Sequence, residues 1–550
     1  MCGIFLLLGK DKPDEGLYKY FNKIQHRGPT NSQLINLNIF ENFSVTLGFH
    51  RLTINGINNF SNQPLLKNEV YLICNGEIYN YKKINAKYGF LPKTQSDVEV
   101  ILDLYIHGGI ELVMNEIDGE FAFAIYDTRN NECFVARDHL GIRGLYQGLY
   151  KESRYFASEA KALTFCDKVE QFPPRQYWSF STNSFTKYYN FFDKYIPLNS
   201  DDLDTQLLNI RKNLIEAVEE RYLTSDVEVG ALLSGGLDSS LISSIASQIA
   251  KRQGKILKTF SIGMTGSLDL KYAQMVADFI GSQHYSIEVS EQDFLKEIEN
   301  TIYTLGTYDV TTIRASVGHR LITKWISENT DVKVLFTGET ADELGSYLYF
   351  RNAPSNEEFQ HEAIRLLKDI HFFDGLRGDR SVSNFGIEAR VPFASRKFLE
   401  YYLSIPAEKR QFGPDKMFPI EKYMIRKAFD TGTYLPKEVL WRKKDGFSDS
   451  ISSLHKPWCQ VIKDYIDTII TDDKYQSLRY TLIGLDLDTK EKYYYRKIFH
   501  KYYNKFLNLT PYYWMPKWTN ETDPSGRKLV SWQENNNDNQ VEDNLQQLNL

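Results

Sequence analysis

Short apolar runs, each about as long as a β-strand, mark the chain up to about residue 190. A helix is predicted to begin at Ser96, because Ser96–Glu99 has the capping-box pattern and apolar residues follow at helical spacing. The polar turn Ser181–Ser184, flanked by aromatic residues, predicts a closing hairpin. The predicted strands are Cys2–Leu8, Val45–Thr53, Val70–Cys74, Phe121–Asp127, Cys133–Arg137 and Tyr155–Ser158.

The pattern changes after the polar segment Ile196–Asp204, which we interpret as a linker. Beyond it, apolar strands alternate with segments whose apolar residues have helical spacing, such as Leu241, Ile242, Ile245 and Ile249. Such alternation predicts βα units that form a doubly wound parallel sheet. The predicted strands are Glu228–Leu233, Ile256–Ile262, Tyr285–Val289 and Lys333–Phe336.

The remainder divides into a helical part and a polar tail. Residues from about 360 to 515 are rich in Tyr and Lys and are predicted to be mostly helical, whereas the Asn-rich tail from Trp532 is predicted to be disordered. We therefore predict an α/β protein with a first domain over residues 1–195, a second over 205–515 and a tail over 516–550.

Composition narrows the class of protein. The chain is 42% apolar and 25% charged, as globular proteins are, and its net charge of −6 argues against a nucleic-acid or membrane surface. Its apolar runs are too short to span a bilayer. The five cysteines are scattered and form neither a disulfide framework nor a CxxC metal pattern. We therefore expect a cytoplasmic protein without nucleic-acid or membrane partners.

The stretch Ser234–Ser240 lies between a predicted strand and a predicted helix. Its glycines and the helix N-terminus bring unpaired N–H groups to one place, which favours a bound phosphate. No Lys follows the glycines, so the stretch differs from the common P-loop. The carboxylate of Asp238 suits a pyrophosphate bound with Mg²⁺. The alternative is a turn of small residues that only packs a helix against a strand.

A second group of candidate residues follows the predicted strand Lys333–Phe336. Gly338–Glu343 places Glu339 and Asp342 at the same sheet edge as Ser234, where one can ligate a metal and the other act as a base. Further along, Glu388–Phe393 and Lys443–Phe447 offer cations for a phosphate that gains charge in the reaction. The alternatives are a solvated acidic loop and ordinary surface charges.

Cys2 is the candidate nucleophile of the first domain. If Met1 is removed, the Cys2 thiol and a free α-amino group share one residue, as in N-terminal nucleophile enzymes. Asn75 and Gly76 can form an oxyanion hole, while Arg51 can hold a carboxylate and Asp97 an ammonium group. The alternatives are a cysteine without a role, surface charges and, for Asp97, a helix-start residue.

These features of the first domain resemble the class II glutamine amidotransferases. The resemblance implies an αββα sandwich that hydrolyses glutamine through a thioester on Cys2. It also implies that Arg51, Glu77 and Asp97 bind the amino-acid end of glutamine, and that Asn75 and Gly76 stabilise the oxyanion. The matching segments are Met1–Ile4, His26–Pro29, His50–Leu52, Asn75–Asn80, Ser96–Asp97 and Arg137–Gly141.

The chain from Met1 to about Gly526 resembles the glutamine-hydrolysing asparagine synthetases. The resemblance implies an ATP-pyrophosphatase type of second domain, with ATP, aspartate and glutamine as substrates. The β-carboxylate of aspartate is activated as β-aspartyl-AMP, and ammonia arrives through an internal tunnel. A homodimer is expected. The matching segments in the second domain are Ser234–Ser240, Thr307–Ser316, Tyr347–Phe350 and Gly386–Phe393.

The same resemblance assigns roles in the second domain. Asp238 and Asp342 would lie near Mg²⁺, Glu339 would be the base for ammonia, and Lys444 would contact the transferring phosphate. The residues implied in ATP binding are Leu232, Ser234, Gly235, Gly236, Asp238, Ser239, Ile262, Thr337 and Gly338.

The chain departs from the family pattern near this site. Thr340 replaces a glycine, which would strain the loop if the position requires a positive φ. Leu344–Tyr347 is one residue shorter than usual, and Gly144 stands where Pro is common. Thr30 and Ser395 each replace an Asp. None of these changes removes a proposed catalytic group.

Three hypotheses follow. The first is an active asparagine synthetase, and the second is a glutamine-dependent enzyme that amidates another carboxylate with the same adenylation machinery. The first hypothesis differs from the second in its preference for aspartate, which is expected to depend on Thr307–Ser316. The third is a non-catalytic relative, against which the joint presence of Cys2, Asp238, Glu339 and Lys444 argues.

Overall fold

The computed structural model describes residues 1–10, 15–40, 43–444, 451–452 and 456–525. The predicted disorder from Trp532 lies outside these residues, as does Gly526 and the part of Lys443–Phe447 beyond Lys444. No helix in these ranges is long and apolar enough to cross a membrane.

Two antiparallel six-stranded sheets form the first domain. The first sheet has the order β10-β8-β9-β1-β3-β2, and the second has the order β12-β11-β7-β6-β5-β4. The strands of the first sheet are β1 (Gly3–Gly9), β2 (Asn31–Phe40), β3 (Phe43–Arg51), β8 (Tyr146–Tyr150), β9 (Ser153–Ala157) and β10 (Lys168–Gln171). Those of the second are β4 (Leu65–Lys67), β5 (Val70–Ile78), β6 (Gly119–Asp127), β7 (Glu132–Arg137), β11 (Gln176–Ser179) and β12 (Ser184–Lys187).

The two sheets of the first domain stack face to face, and helices cover their outer faces. Successive side chains of β1 point alternately to these two sides. Ile4 and Leu6 pack with Ile73 and Ala122 between the sheets, whereas Phe5 packs on the opposite face of β1. Helix α1 (Glu15–Phe21) covers that outer face, and α2 (Tyr81–Tyr88) and α3 (Glu99–Glu116) cover the outer face of the second sheet. The predicted αββα sandwich is confirmed.

A five-stranded parallel sheet forms the centre of the second domain, in the order β15-β14-β13-β16-β17. Leu232 faces helices on one side of β13, and Ala231 and Leu233 face helices on the other, so the sheet is doubly wound as predicted. The strands are β13 (Val229–Leu232), β14 (Lys258–Gly263), β15 (Gln283–Glu288), β16 (Val334–Phe336) and β17 (Glu388–Arg390).

Thirteen helices are described in the second domain, within the ranges given above. Those that precede β16 are α4 (Leu203–Leu223), α5 (Leu237–Arg252), α6 (Leu268–Ile280), α7 (Glu291–Leu305) and α8 (Val310–Asn329). Those that follow are α9 (Asn356–Asp369), α10 (Asp374–Ser383), α11 (Arg396–Ser404), α12 (Tyr423–Ala428), α13 (Lys437–Leu440), α14 (Trp458–Ile469), α15 (Asp472–Leu478) and α16 (Lys490–Tyr503).

Two local predictions were wrong at helix starts. Helix α3 begins at Glu99 rather than at Ser96, because the Glu99 carboxylate accepts hydrogen bonds from Lys93 and Thr94 instead of closing a capping box. The predicted linker ends earlier than Asp204, since Asp202 caps α4 by accepting a hydrogen bond from Thr205 N at 2.7 Å. The hairpin at Ser181–Ser184 is confirmed, as β11 pairs with β12.

Candidate active sites

Cys2 directly precedes β1 and lies next to Leu52, which directly follows β3. Leu52 N–H is 3.4 Å from Cys2 Sγ, and Arg27 Nε donates a hydrogen bond to Cys2 O at 2.8 Å. Burial raises the pKa of the Cys2 thiol. Met1 precedes Cys2, and its buried α-amino nitrogen is 3.9 Å from Glu388 Oε2. Burial also lowers the pKa of this amino group, to about 6.

Asn75 and Gly76 lie in β5, where the second sheet faces β1. The Asn75 side chain is fully buried, and neither its amide nitrogen nor its oxygen has a hydrogen-bond partner among the described residues. A Cβ atom on Gly76 would lie 2.3 Å from Glu120 O, so only glycine fits against β6. A buried, unpaired amide beside a glycine N–H is what an oxyanion hole requires.

The three predicted glutamine-binding side chains have different partners. Asp97 accepts hydrogen bonds from Ile78 N at 2.6 Å and Asn55 Nδ2 at 3.2 Å, and burial raises its pKa to about 7. Glu77 is paired with Arg390, at 3.2 Å between Oε2 and Nη2.

The guanidinium group of Arg51 is directed to its own loop rather than to an open space. It donates to Asn58 O at 2.8 Å, Asn62 Oδ1 at 2.6 Å and Gly56 O at 2.6 Å. Arg51 therefore braces residues 55–62, next to the Asn55 side chain that bonds Asp97. In this arrangement its contact with a substrate carboxylate stays a prediction.

The predicted phosphate loop has the expected strand–loop–helix form. It joins β13 to α5, and Gly235 has a φ of 76° and packs against α6, where a Cβ atom would lie 2.6 Å from Ala273 N. Ser239 Oγ accepts a hydrogen bond from Ser234 N at 3.1 Å and lies 2.9 Å from Ser234 Oγ. The serine hydroxyls of the loop therefore lie close together at the N-terminus of α5, where a phosphate can bind.

An open pocket of about 1120 Å³ lies at the carboxyl edge of the parallel sheet. Such an edge is where ligands bind on doubly wound sheets. Gly235 is not at the pocket surface, and its carbonyl accepts from Arg442 Nη1 at 3.2 Å. The pocket is lined by these residues predicted from the sequence: Leu232, Ser234, Gly236, Asp238, Ser239, Ile262, Thr337, Gly338, Glu339, Asp342 and Lys444.

Lys422, which sequence reasoning missed, lies among the predicted metal ligands. Its ammonium group bonds both Asp238 and Asp342, and Lys444 also bonds Asp342. The two lysines hold the pKa of Asp342 well below its usual value in spite of its burial. No motif in the sequence marks Lys422, because the helix that it precedes, α12, is far from the phosphate loop along the chain.

The donor set suits Mg²⁺ that arrives with a nucleotide. Asp238 and Asp342 converge on one ammonium group, and Asp238 Oδ1 is buried without a hydrogen-bond donor among the described residues. Within the same residues, no group of three or more His, Cys, Asp or Glu side chains can hold a metal by itself. Two carboxylates with phosphate oxygens and water are a common set of ligands for Mg²⁺.

Glu339 lines the same pocket as the two lysines. Its Oε1 is 3.6 Å from His319 Nδ1, and its Oε2 is buried without a hydrogen-bond partner among the described residues. Burial lowers the pKa of His319 to about 3, so the imidazole is neutral near pH 7. Glu339 is therefore not neutralised by this contact.

Beside Glu339 is a group of acidic and basic side chains to which the sequence assigned no individual roles. Tyr347 OH donates to Glu343 Oε1 and lies 3.0 Å from Asp374 Oδ2, and Arg377 Nη2 is 3.2 Å from Asp374. Burial raises the pKa of Glu343. Glu343 Oε2 and Arg377 Nε are buried without partners among the described residues, so both an acceptor and a donor remain for a ligand.

Thr340 has the positive φ that the departure from the family pattern suggested. Its φ is 78°, its side chain is buried, and its hydroxyl has no partner within the described part of the chain. A β-branched residue in this region is strained. Gly144 is a different case, because a Cβ atom there would lie 2.0 Å from the Arg380 guanidinium group, so the glycine makes room for that arginine.

One interpretation of a sequence segment stays a prediction and another was wrong. Among the described residues, the pocket is lined by His319 and Ile322 of α8 but by none of Thr307–Ser316, and Arg314 pairs with Glu491, so a role of that segment in aspartate preference stays a prediction. Arg390 does not offer a cation to phosphate, because it is fully buried between the two domains.

Comparison with known proteins agrees with this arrangement of two sites. A family model described as a glutamine amidotransferase domain matches residues 1–193, and one described as asparagine synthase matches residues 209–360 and 349–534.

Relatives named asparagine synthetase (glutamine-hydrolyzing) match almost the whole chain. The Gallus gallus protein is 40% identical over 563 residues, which cover 96% of this chain and 98% of that protein. The Cricetulus griseus protein is 39% identical over 567 residues and the Homo sapiens protein 38% over 569, each covering 97% of this chain and 99% of the relative. With both sites present and both family models matched, the chain belongs to the family of glutamine-hydrolysing asparagine synthetases.

Proposed function

We propose that this protein makes asparagine from aspartate, glutamine and ATP, with glutamate, AMP and pyrophosphate as the other products. One observation carries the proposal: a single pocket joins the phosphate loop, the carboxylates Asp238 and Asp342, the cations Lys422 and Lys444, and Glu339. This set suits the formation of an acyl-adenylate and its attack by ammonia. The Cys2 site supplies the ammonia.

In the first domain, the Cys2 thiolate attacks the side-chain amide carbon of glutamine after Met1 has been removed. The free α-amino group of Cys2 takes the thiol proton and passes it to the leaving ammonia. The amide of Asn75 and the N–H of Gly76 stabilise the oxyanion of the tetrahedral intermediate. Water then hydrolyses the thioester to glutamate. Arg51, Glu77 and Asp97 bind the amino-acid end of glutamine, the carboxylates being opposite its ammonium group.

In the second domain, the β-carboxylate of aspartate attacks the α-phosphorus of ATP, and pyrophosphate leaves into the loop Ser234–Ser239. Lys422 and Lys444 balance the charge that develops on the phosphates. Asp238 and Asp342 would hold Mg²⁺, which neutralises pyrophosphate when bound. Leu232, Ile262, Thr337 and Gly338 enclose the adenylate, as lining residues of the same pocket.

Ammonia then attacks the β-carbonyl carbon of the acyl-adenylate, and AMP leaves. Glu339 accepts the proton that the attacking nitrogen loses. The neighbouring unpaired groups Arg377 Nε and Glu343 Oε2 suit the α-carboxylate and the α-ammonium group of aspartate. We place the choice of aspartate over other acids in this group of residues.

Two further properties belong to the proposal. The cysteines among the described residues are all free, which suits a reducing, cytoplasmic compartment. A homodimer is proposed from the family resemblance alone.

The direct test incubates the purified protein with ATP, Mg²⁺, aspartate and glutamine, and measures AMP, pyrophosphate and asparagine. We expect the three products in equal amounts. AMP formation with another acid, and none with aspartate, would favour a transferase that amidates a different carboxylate. Binding of ATP without turnover of any acid would favour the non-catalytic hypothesis.

A further inference from the structure

Arg390 belongs to the second domain but contacts a glutamine-binding residue of the first. It is the last residue of β17, and its Nη2 is 3.2 Å from Glu77 Oε2. Arg390 is 0% exposed and Glu77 is 5% exposed, so water does not screen this pair. Among the described residues, Glu77 Oε2 has no partner with full hydrogen-bond geometry besides this ion pair, so it can still accept from a ligand.

The position of Arg390 is fixed by backbone and side-chain acceptors. Its Nε donates to Glu388 Oε1 at 2.9 Å, its Nη2 donates to Thr224 O at 3.2 Å, and its Nη1 donates to Arg221 O. A guanidinium group held at several points has lost its conformational freedom before glutamine binds. Arg390 therefore presents its charge to Glu77 from a rigid support.

The main chain of Arg390 reaches the other active site. Thr337 N donates a hydrogen bond to Arg390 O at 3.1 Å, and Thr337 lines the ATP pocket. One residue thus contacts the glutamine site through its side chain and the adenylate site through its backbone. A change of the side chain leaves the backbone contact in place.

The charges around Glu77 explain why a cation is needed there. Its carboxylate faces those of Asp97 and Glu388, and the cations that face it are Arg390 and Arg143. Burial, followed by the two acidic neighbours, raises the pKa of Glu77, and Arg390 is the foremost cation that opposes this rise. Without Arg390, Glu77 would take up a proton and lose its attraction for an ammonium group.

The geometry points to Arg390 as a positioning residue that the second domain contributes to the glutamine site, where it holds the Glu77 carboxylate in place for the ammonium group of glutamine. This inference rests on the proposed function of Glu77. It means that the glutaminase site is complete only when the two domains are packed together. A glutaminase that acts before the domains join would release ammonia to solvent.

The test compares Arg390→Gln and Arg390→Lys with the unchanged enzyme, all as full chains. Glutamine hydrolysis is measured without aspartate, and asparagine synthesis is measured with ammonia. We expect Arg390→Gln to raise the KM for glutamine by about tenfold or more and to move the rise of kcat/KM to higher pH, because Glu77 then ionises at higher pH. Arg390→Lys restores part of the loss, and synthesis from ammonia changes by less than about threefold.

Arg396→Gln is the matched control, since Arg396 Nη1 donates to Ile117 O at 3.3 Å across the same domain interface and does not contact Glu77. In a Glu77→Gln background, Arg390→Gln should change the glutamine KM by less than about twofold. An unchanged KM in Arg390→Gln, or an equal loss of both activities, would overturn the inference. Absence of asparagine from ammonia in the unchanged enzyme would refute the proposed function instead, while the glutamine KM would still test Arg390.

Discussion

Single residues in the ATP pocket show how buried charges are kept paired. Lys422 is 3% exposed and stands between Asp238 and Asp342, and Lys444 approaches Asp342 from another segment. An unpaired carboxylate in this pocket would be costly, so each lysine stabilises the charged form of its partner. In the proposed function, the same lysines balance the charge of the phosphates, so they would serve both the stability of the pocket and catalysis.

We predict that Lys422→Met lowers the rate of asparagine synthesis from ammonia by about 100-fold or more, because a cation near the phosphates is lost. Glutamine hydrolysis at Cys2 should change little. The assay measures AMP and pyrophosphate release at saturating ammonia, and Lys427→Met, on the short helix that follows Lys422 but partly exposed, is the control. A rate within about twofold of the unchanged enzyme would contradict this role.

The raised pKa of Asp97 leads us to expect that the use of glutamine depends on pH. Burial raises its pKa to about 7, so the carboxylate is neutral below that pH and charged above it. In the proposed function the charged form attracts the ammonium group of glutamine, so kcat/KM for glutamine should rise as pH increases through about 7, by up to about tenfold per unit below it.

The measurement is a pH profile of glutamate formation. Asp97→Asn should have a lower kcat/KM and a shallower rise near pH 7, because only Glu77 then ionises in this site, whereas synthesis from ammonia at the distant pocket should lack the rise in both proteins. An Asp97→Asn profile with the same rise at about pH 7 would assign it to another group.

Strands and helices were predicted best from the sequence where a short segment contains all the residues that determine its structure. β13, β14, β16 and the loop Ser234–Ser240 were recognised because apolar runs, glycines and helical spacing occur together. β2 was missed because its asparagines break the apolar pattern of an edge strand. β17 was missed because three residues are too few for a periodicity to show.

The residues of the candidate site were likewise predicted where their positions along the chain determine where they lie. The residues of the phosphate loop and of Gly338–Asp342 meet at one sheet edge because parallel strands end there, so their positions along the chain sufficed. Lys422, Arg377 and Arg390 were not assigned correctly, because their partners are distant in sequence and only tertiary packing brings them together.

The loop after β16 offers a test of strain. Thr340 has a φ of 78°, and a side chain in this region of the backbone costs about 1–2 kcal/mol. Glycine gains more entropy on unfolding, which offsets part of this. We predict that Thr340→Gly raises the free energy of unfolding by up to about 1 kcal/mol, measured by denaturant titration.

Thr340→Ala is the control for that prediction, because alanine also lacks the hydroxyl but keeps the unfavourable φ. It should be no more stable than the unchanged protein. If Thr340→Ala and Thr340→Gly had equal stability, backbone strain would not be the cause.

At the scale of the whole molecule, buried charges join the two domains. Arg27 holds Cys2 O at 2.8 Å and also forms two hydrogen bonds with Asp379 of α10, at 3.0 Å each. Arg143 pairs with Glu120 of its own domain at 3.0 Å, and it donates a hydrogen bond to Ala389 O of the second domain at 3.0 Å. Because such pairs are costly when one partner is missing, the domains are stabilised in one relative position. In the proposed function, these contacts hold the nucleophile that makes ammonia and the pocket that uses it in one assembly.

In the proposed function the first domain makes ammonia and the second uses it, and the variant Cys2→Ala separates these two activities. Asparagine formation is measured with glutamine and, separately, with added ammonia, at the same concentrations of ATP, Mg²⁺ and aspartate. We expect Cys2→Ala to form no asparagine from glutamine and to form it from ammonia at a rate within about twofold of the unchanged enzyme. Equal loss of both activities, or continued use of glutamine, would contradict it.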